Sequence, residues 1–258
     1  MSSATFDLNR GDIERAADIL GSARSAFALT GAGVSAESGI PTFRGEGGLW
    51  TRYDPIKVSS IDTFLAHPAA YWAVSKERGR VALAARPNAG HYALAAMEEA
   101  GRLVAVVTQN TDGLHQDSGS RHVIELHGSG RTVQCLDCGR REPRSELQKR
   151  LDVEMPPLCQ SCGSALLKPT VVLFGEPMPR EAIDGAFELA RGADAILVAG
   201  SSLVVYPAAD VPLVAVRSGA RMIVVNAEPT PFDDLAEVVI RGRSGEILPG
   251  IASLLKGA

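Results

Sequence analysis

The chain has 258 residues, 45% of them hydrophobic and 22% charged, with a formal net charge of −4. That length suits one large domain, or a main domain with a smaller insertion, and is ample for a buried core. The charge gives no general drive toward nucleic acid or an anionic membrane, and no apolar run approaches the roughly 20 residues of a membrane span. The first residues lack a basic stretch followed by an apolar run, so no export signal is read and a cytoplasmic protein is expected.

In chain order, residues 9–24 place Ile13, Ala16, Ala17 and Leu20 on one helical face. A buried strand follows at Ser25–Thr30 and ends in a glycine-rich turn. Further strand-like runs lie at Leu103–Thr108, His122–Leu126, Thr170–Phe174, Ala195–Ala199, Met222–Asn226 and Val238–Ile240. Helical stretches separate them at 91–100, 179–191, roughly 207–218 and 245–256. Apolar strands alternating with helices predict an α/β fold, a doubly wound parallel sheet covered on both faces. Residues 45–90 and 129–168 break this rhythm and are read as two insertions that together form a smaller domain. The main domain is then expected at 1–44, 91–128 and 169–258.

Five motifs carry chemistry. Gly31-Ala32-Gly33-Val34-Ser35-Ala36 follows a strand and fits the dinucleotide turn, in which glycines let the backbone approach a pyrophosphate; a plain tight turn is the alternative. An ordinary Rossmann domain places an acid about 20 residues on, and here that distance falls in an insertion, which disfavours a dehydrogenase. The run continues through Glu37 to Phe43 and Arg44, an apolar ring and a fixed cation suited to covering a cofactor and steering phosphates; a mobile surface loop is the alternative. Gln109, Asn110 and Asp112 stand at the carboxyl end of a strand, where ligands gather in open α/β sheets; a polar turn with Asp112 capping the next helix reads equally well. His127, before Gly128, ends another strand and has a pKa range suited to a general base.

Cys135-x2-Cys138 and Cys159-x2-Cys162 lie 20 residues apart and match a tetrahedral zinc ribbon. Four thiolates leave no open position, so one structural Zn2+ per chain is expected rather than a catalytic one; redox disulfides are the alternative. Gly200-Ser201-Ser202, Asn226 with Glu228, and Arg243-Ser244-Gly245 supply hydroxyl, amide and carboxylate groups along one sheet edge.

The order of these motifs, with Val171-Val172-Leu173-Phe174-Gly175-Glu176 between the cysteines and Gly200, resembles the sirtuin (Sir2) family over about residues 12–255. The resemblance implies a Rossmann-like domain and a small zinc domain, with NAD as a consumed cosubstrate meeting an acyl-lysine peptide in the cleft. Gly31, Ala32, Gly33, Glu37, Phe43 and Arg44 would form the cofactor loop. Asn110 and Asp112 would form the nicotinamide pocket, with Gln109 near the ribose and His127 as the base. Gly200, Ser201, Ser202, Asn226 and Glu228 would hold the adenosine half, with Ser244 near adenine. Val172, Phe174 and Gly175 would line the substrate strand, where a peptide adds as a β-strand. The implied products are free lysine, nicotinamide and O-acyl-ADP-ribose, with neither nucleic acid nor membrane as a direct partner.

Two departures from the family pattern stand out, and no functional change is attached to the second. Relatives that prefer succinyl or malonyl lysine carry a Tyr-x-x-Arg pair where alignment on Trp72 places Ser75 and Arg78, so acetyl and other neutral short acyl groups are favoured. Asp117-Ser118 stands where a basic residue and Ala are more usual. Two further readings are an ADP-ribosyltransferase on the same NAD pocket and a noncatalytic NAD or zinc interaction protein; the set of Asn110, Asp112 and His127 argues against the latter.

Overall fold

The computed structural model describes residues 9–43, 48, 51 and 54–255. In chain order its elements are α1 (Arg10–Ser22), β1 (Ala26–Thr30), α2 (Ala32–Ser35), α3 (Pro55–Ser59), α4 (Ile61–Ala66), α5 (Pro68–Ala84), α6 (Ala89–Glu99), β2 (Ala105–Thr108), α7 (Leu114–Asp117) and β3 (Val123–Glu125). They continue with β4 (Gly128–Cys135), β5 (Arg141–Pro143), α8 (Arg144–Arg150), β6 (Leu167–Val171), α9 (Arg180–Gly192), β7 (Ala195–Ala199), α10 (Asp210–Arg217), β8 (Arg221–Val225), β9 (Val238–Ile240) and α11 (Ser244–Leu255).

Six strands make one parallel sheet in the order β3-β2-β1-β7-β8-β9. Every residue of β1 is buried, which explains why that run is continuously apolar rather than alternating. Its side chains still divide by face. Ala26 and Ala28 pack with Ile13, Leu20, Leu94 and Ile251, under α1, α6 and α11. Phe27 and Leu29 pack with Ala186, Ala190, Val211 and Ala215, under α9 and α10. Burying a side chain such as Phe27 or Leu29 stabilises by about 1.5–3 kcal/mol, so each face is a core in its own right. This is the doubly wound, Rossmann-like sheet the alternation predicts.

A three-stranded antiparallel sheet, β5-β4-β6, forms the smaller layer. Between 54 and 84 the chain is helical, because Asp54 accepts from the Ile56 and Lys57 amides ahead of α3, Ser60 accepts from Thr63 N–H ahead of α4, and Pro68 starts α5. These helices cover the small sheet. Phe64, Tyr71 and Trp72 share a core with Val133, Leu147 and Leu167, and the Trp72 indole N–H donates to the Leu167 carbonyl at 3.0 Å.

One predicted strand belongs to the other layer. The run read as Thr170–Phe174 in the parallel sheet is Leu167–Val171, paired antiparallel with β4. A short apolar run carries no mark of which sheet it joins. The predicted helix at 207–218 starts later, at Asp210.

Candidate active site

Sequence order reverses beside β1. From it the chain moves to β2 on one side and later returns to β7 on the other, so the loops after β1 and β7 part at a topological switch point. There the two loops meet closely. Gly33 N–H donates to the Gly200 carbonyl at 2.8 Å, and a Cβ on Gly33 would lie 2.7 Å from Gly200 Cα. Gly200 itself has φ +59 and would place a Cβ 2.4 Å from the Val34 amide. Glycine here serves loop-to-loop approach, because the Gly31 and Gly33 N–H groups are spent on Ala199 and Gly200 carbonyls.

A cavity of about 1790 Å3 opens from this point toward the small layer, lined by both. Ala32, Gly33, Phe43, Gln109, Asn110, Asp112, His127, Val172, Phe174, Gly175, Gly200, Ser201, Ser202, Asn226 and Glu228 all border it, as does Gly31. Glu37 and Ser244 do not. Glu37 Oε2 instead accepts from Gly245 N–H at 2.7 Å, holding the first turn of α11, and Ser244 is buried there. Arg44 lies outside the described residues.

Asn110 and Asp112 are locked by a residue to which the sequence reading gave no role, Ser35. Asn88 N–H donates to His91 Nδ1 at 3.3 Å, so His91 Nε2 carries the proton and donates to Ser35 Oγ at 3.4 Å. Asn110 Nδ2 donates to the same oxygen at 3.1 Å and to the Gly31 carbonyl at 3.1 Å. Ser35 Oγ then donates to Asp112 Oδ2 at 2.7 Å. Asp112 Oδ1 accepts from Leu114 N–H at 2.9 Å, so one oxygen caps the turn while Ser35 holds the other. Behind them, Thr30 Oγ1 joins His115 Nε2 at 2.9 Å and donates to Thr108 Oγ1 at 2.8 Å. Ser35 stands in a motif noticed for its glycines, and its position opposite β2 depends on strand order.

Burial lowers the pKa of His91 to about 4 despite nearby Asp112, and that of His115 to about 3, with His91 adding to the effect. Both imidazoles are therefore neutral in the fold, while unfolded histidine titrates near 6.5. The unfolded chain binds more protons below that value, so stability is full above about pH 6.5 and is lost as pH falls from there toward about 4. The expected loss is on the order of several kcal/mol. Calorimetry at pH 7.5, 6 and 5 checks this above the range where carboxylates titrate; a flat unfolding temperature would mean that the imidazoles are charged in the fold.

His127 follows β3. Its carbonyl accepts from Val172 N–H at 2.8 Å, and its Nδ1 donates to the Gln109 carbonyl at 2.9 Å. That bond fixes the tautomer and leaves Nε2 as the proton acceptor. Burial lowers its pKa, and the bond to Gln109 partly opposes this. Gln109 Nε2 in turn donates to Ser201 Oγ at 2.9 Å, linking the ends of β2 and β7.

On the small-layer side, the extended segment after β6 runs beside α4. Phe174 N–H donates to the Ser59 carbonyl and Ile61 N–H to the Phe174 carbonyl. Leu173 N–H is held by Glu176 Oε2, itself paired with buried Lys168 at 2.8 Å. Ser75 is buried at the cavity wall, accepting from Arg144 at 3.1 Å, and Arg78 lies over the Phe43 ring at 5.3 Å.

The sulfurs of Cys135, Cys138, Cys159 and Cys162 lie within 4.8 Å of one another, two of the pairs at 3.6 Å. None forms a disulfide. A tetrahedron with Zn–S bonds of about 2.3 Å has edges of about 3.8 Å, so the quartet fits one zinc ion. Amide donors from Ser161 and Cys162 lower the Cys159 pKa, while the crowded neighbouring sulfurs raise that of Cys162, the opposed pull expected where thiols converge on one point.

Residues 31–207 match the Sir2 family. The chain belongs to the Sir2 family. Among Sir2 relatives it is 51% identical over 245 residues to NAD-dependent protein deacylase 2 of Archaeoglobus fulgidus, covering 95% of this chain and 96% of that one. It is 47% identical to the NAD-dependent protein deacylase of Pyrococcus abyssi, covering 93% and 96%. Among solved Sir2 structures, one described under the mechanism and regulation of Sir2 enzymes superposes with a TM-score of 0.90 at 50% identity, covering 96% of this chain and 99% of that one. A Sir2 complex with a deacetylated p53 peptide and 3'-O-acetyl ADP ribose superposes with a TM-score of 0.90 at 41% identity, covering 93% and 97%.

Proposed function

We propose that this chain removes acyl groups from protein lysine in a reaction that consumes NAD, with His127 as the base. The carrying observation is the convergence in one cleft of a His127 Nε2 left free by the Nδ1–Gln109 bond, the Ser35-locked amide and carboxylate of Asn110 and Asp112, and an extended segment at 172–175. When bound, NAD supplies a ribose carbon that becomes electrophilic as nicotinamide departs.

The residues around it have separable tasks. Asn110 and Asp112 hold the nicotinamide end, where their fixed orientation replaces water by preorganised dipoles. His127 Nε2 accepts the proton of a ribose hydroxyl, which makes that oxygen the nucleophile toward the acyl carbon. Gly31, Ala32, Gly33, Phe43, Gly200, Ser201, Ser202, Asn226 and Glu228 hold the rest of the dinucleotide, and Gln109 sits by its ribose. Glu37 acts one step back, fixing the first turn of α11 against the loop after β1, with Ser244 buried in that turn and proposed at the adenine end. At the segment 172–174 all three N–H groups are engaged within the chain, so a substrate strand is left the Val172 carbonyl and the Gly175 amide. The cysteine quartet holds a structural zinc.

We favour acetyl and other neutral short acyl groups, because Ser75 stands where a tyrosine would grip an acidic chain and its hydroxyl is already held by Arg144. Among the described residues no helix is long and apolar enough to cross a membrane, and we place the reaction in the cytoplasm, on protein or peptide substrates rather than nucleic acid. Mass spectrometry of acetyl-lysine and succinyl-lysine peptides incubated with NAD is the test. The expected result is NAD-dependent deacetylation with nicotinamide release, faster than desuccinylation. Faster desuccinylation would assign Arg78 to an acidic acyl group, and nicotinamide release with ADP-ribose appearing on protein would favour the transferase.

A further inference from the structure

The loop from Gln109 to Gly113 is gripped from two sides. Ser35 holds its side chains from the parallel sheet. Its backbone is held from the small layer, by two residues of β4. Gly130 N–H donates to the Thr111 carbonyl at 2.7 Å, and Arg131 Nε donates to the Asp112 carbonyl at 2.9 Å. The same guanidinium reaches Asp117 on α7 with both remaining nitrogens, Nη1 to Oδ1 at 2.7 Å and Nη2 to Oδ2. Arg131 crosses Gly113 so closely that a Cβ there would fall 2.2 Å from Nε, and Gly113 also has φ +73. The positive φ calls for glycine at that turn, and the missing Cβ leaves the path that the arginine takes.

We propose that Arg131 is a positioning residue for the nicotinamide loop, and that Asp117 is the group that aims it. The inference rests on reading Asn110 and Asp112 as the nicotinamide pocket. A planar fork with three donors in use cannot swing without breaking all of them, so the Asp117 carboxylate fixes the angle at which Nε meets the Asp112 carbonyl. Arg131 and Asp117 both border the cavity, and their side chains are 42% and 39% exposed. An ion pair that open contributes little to global stability, which separates a positioning role from a structural one. The acid at 117 is the departure noted from the sequence. A basic residue there would face Arg131 with like charge, and the fork would lose its anchor.

The test uses the zinc-loaded full chain with Arg131→Gln, Arg131→Lys, Asp117→Asn and, as a reference, Asp112→Asn. Each is read for the nicotinamide concentration that halves deacetylation, the KM for an acetyl-lysine peptide, zinc content and unfolding temperature. Arg131→Gln is expected to raise the half-inhibitory nicotinamide concentration about tenfold, with peptide KM and unfolding temperature close to the parent. Arg131→Lys should not rescue it, since an ammonium keeps the charge but not the fork, and Asp117→Asn should move the same way by less. Unchanged nicotinamide potency in Arg131→Gln, or a rise matched by peptide KM and a lower unfolding temperature, would overturn the proposal. Full activity and nicotinamide sensitivity in Asp112→Asn would instead overturn the pocket reading on which it rests.

Discussion

Replacing His127 with Ala is expected to lower kcat by about 10²–10⁴-fold, the usual contribution of a positioned general base. The fold should survive it. The backbone link from Val172 N–H to the His127 carbonyl does not involve the ring, and the Gln109 carbonyl it uncovers borders the cavity, where water can replace the lost donor. NAD affinity and zinc content should therefore stay near the parent values, and isothermal titration with metal analysis would show whether they do. The parent enzyme has a matching pH signature. Because burial lowers the His127 pKa, the acid limb of kcat/KM should lie below about 6.5, the ordinary imidazole value. Turnover retained in the alanine variant would remove His127 from the role of base.

Stripping the zinc is expected to unfold the small layer while leaving the parallel sheet. Cys135 and Cys159 are buried in the same core as Phe64, Tyr71, Trp72, Leu147 and Leu167, so the metal and that core stand or fall together. Structural zinc sites contribute about 10–16 kcal/mol in apparent binding free energy, far more than the net stability of about 5–15 kcal/mol that a whole domain retains can spare. The sheet has separate cores on its two faces. Chelation should thus abolish activity, shift tryptophan emission to the red as the fully buried Trp72 indole meets water, and keep much of the helical signal. Native Trp emission and activity after verified metal loss would show that packing alone maintains the layer.

Much of this was legible because the signals are periodic or spaced. The continuous apolar run of β1 marks a strand covered on both faces, and Cys-x2-Cys repeated after 20 residues marks a metal site. Strand ends then point to Asn110, Asp112 and His127. What stayed hidden depends on partners far away in sequence. The role of Ser35 appears only once β1 and β2 are neighbours. The motif places Glu37 in the cofactor loop, yet its carboxylate is engaged by Gly245, far along the chain. The assignment of 167–171 to the small sheet needed the antiparallel register with β4, which no local pattern encodes. The division at 1–44, 45–90, 91–128, 129–168 and 169–258 remains our proposal for the domains, with the observed β6 crossing its last boundary.

The pairing at the middle of the parallel sheet has a bearing on how the chain is made. β1 is joined in register to β7, Ala26 to Ala195 and Thr30 to Ala199, across roughly 170 residues of intervening chain, the kind of distant closure that slows folding. On a ribosome β1 emerges early and must wait with one edge open until β7 follows. By then all four cysteines have already left the tunnel. The order of synthesis thus favours metal capture before the sheet can close, and for that interval the apolar edge of β1 stands unpaired, where aggregation begins.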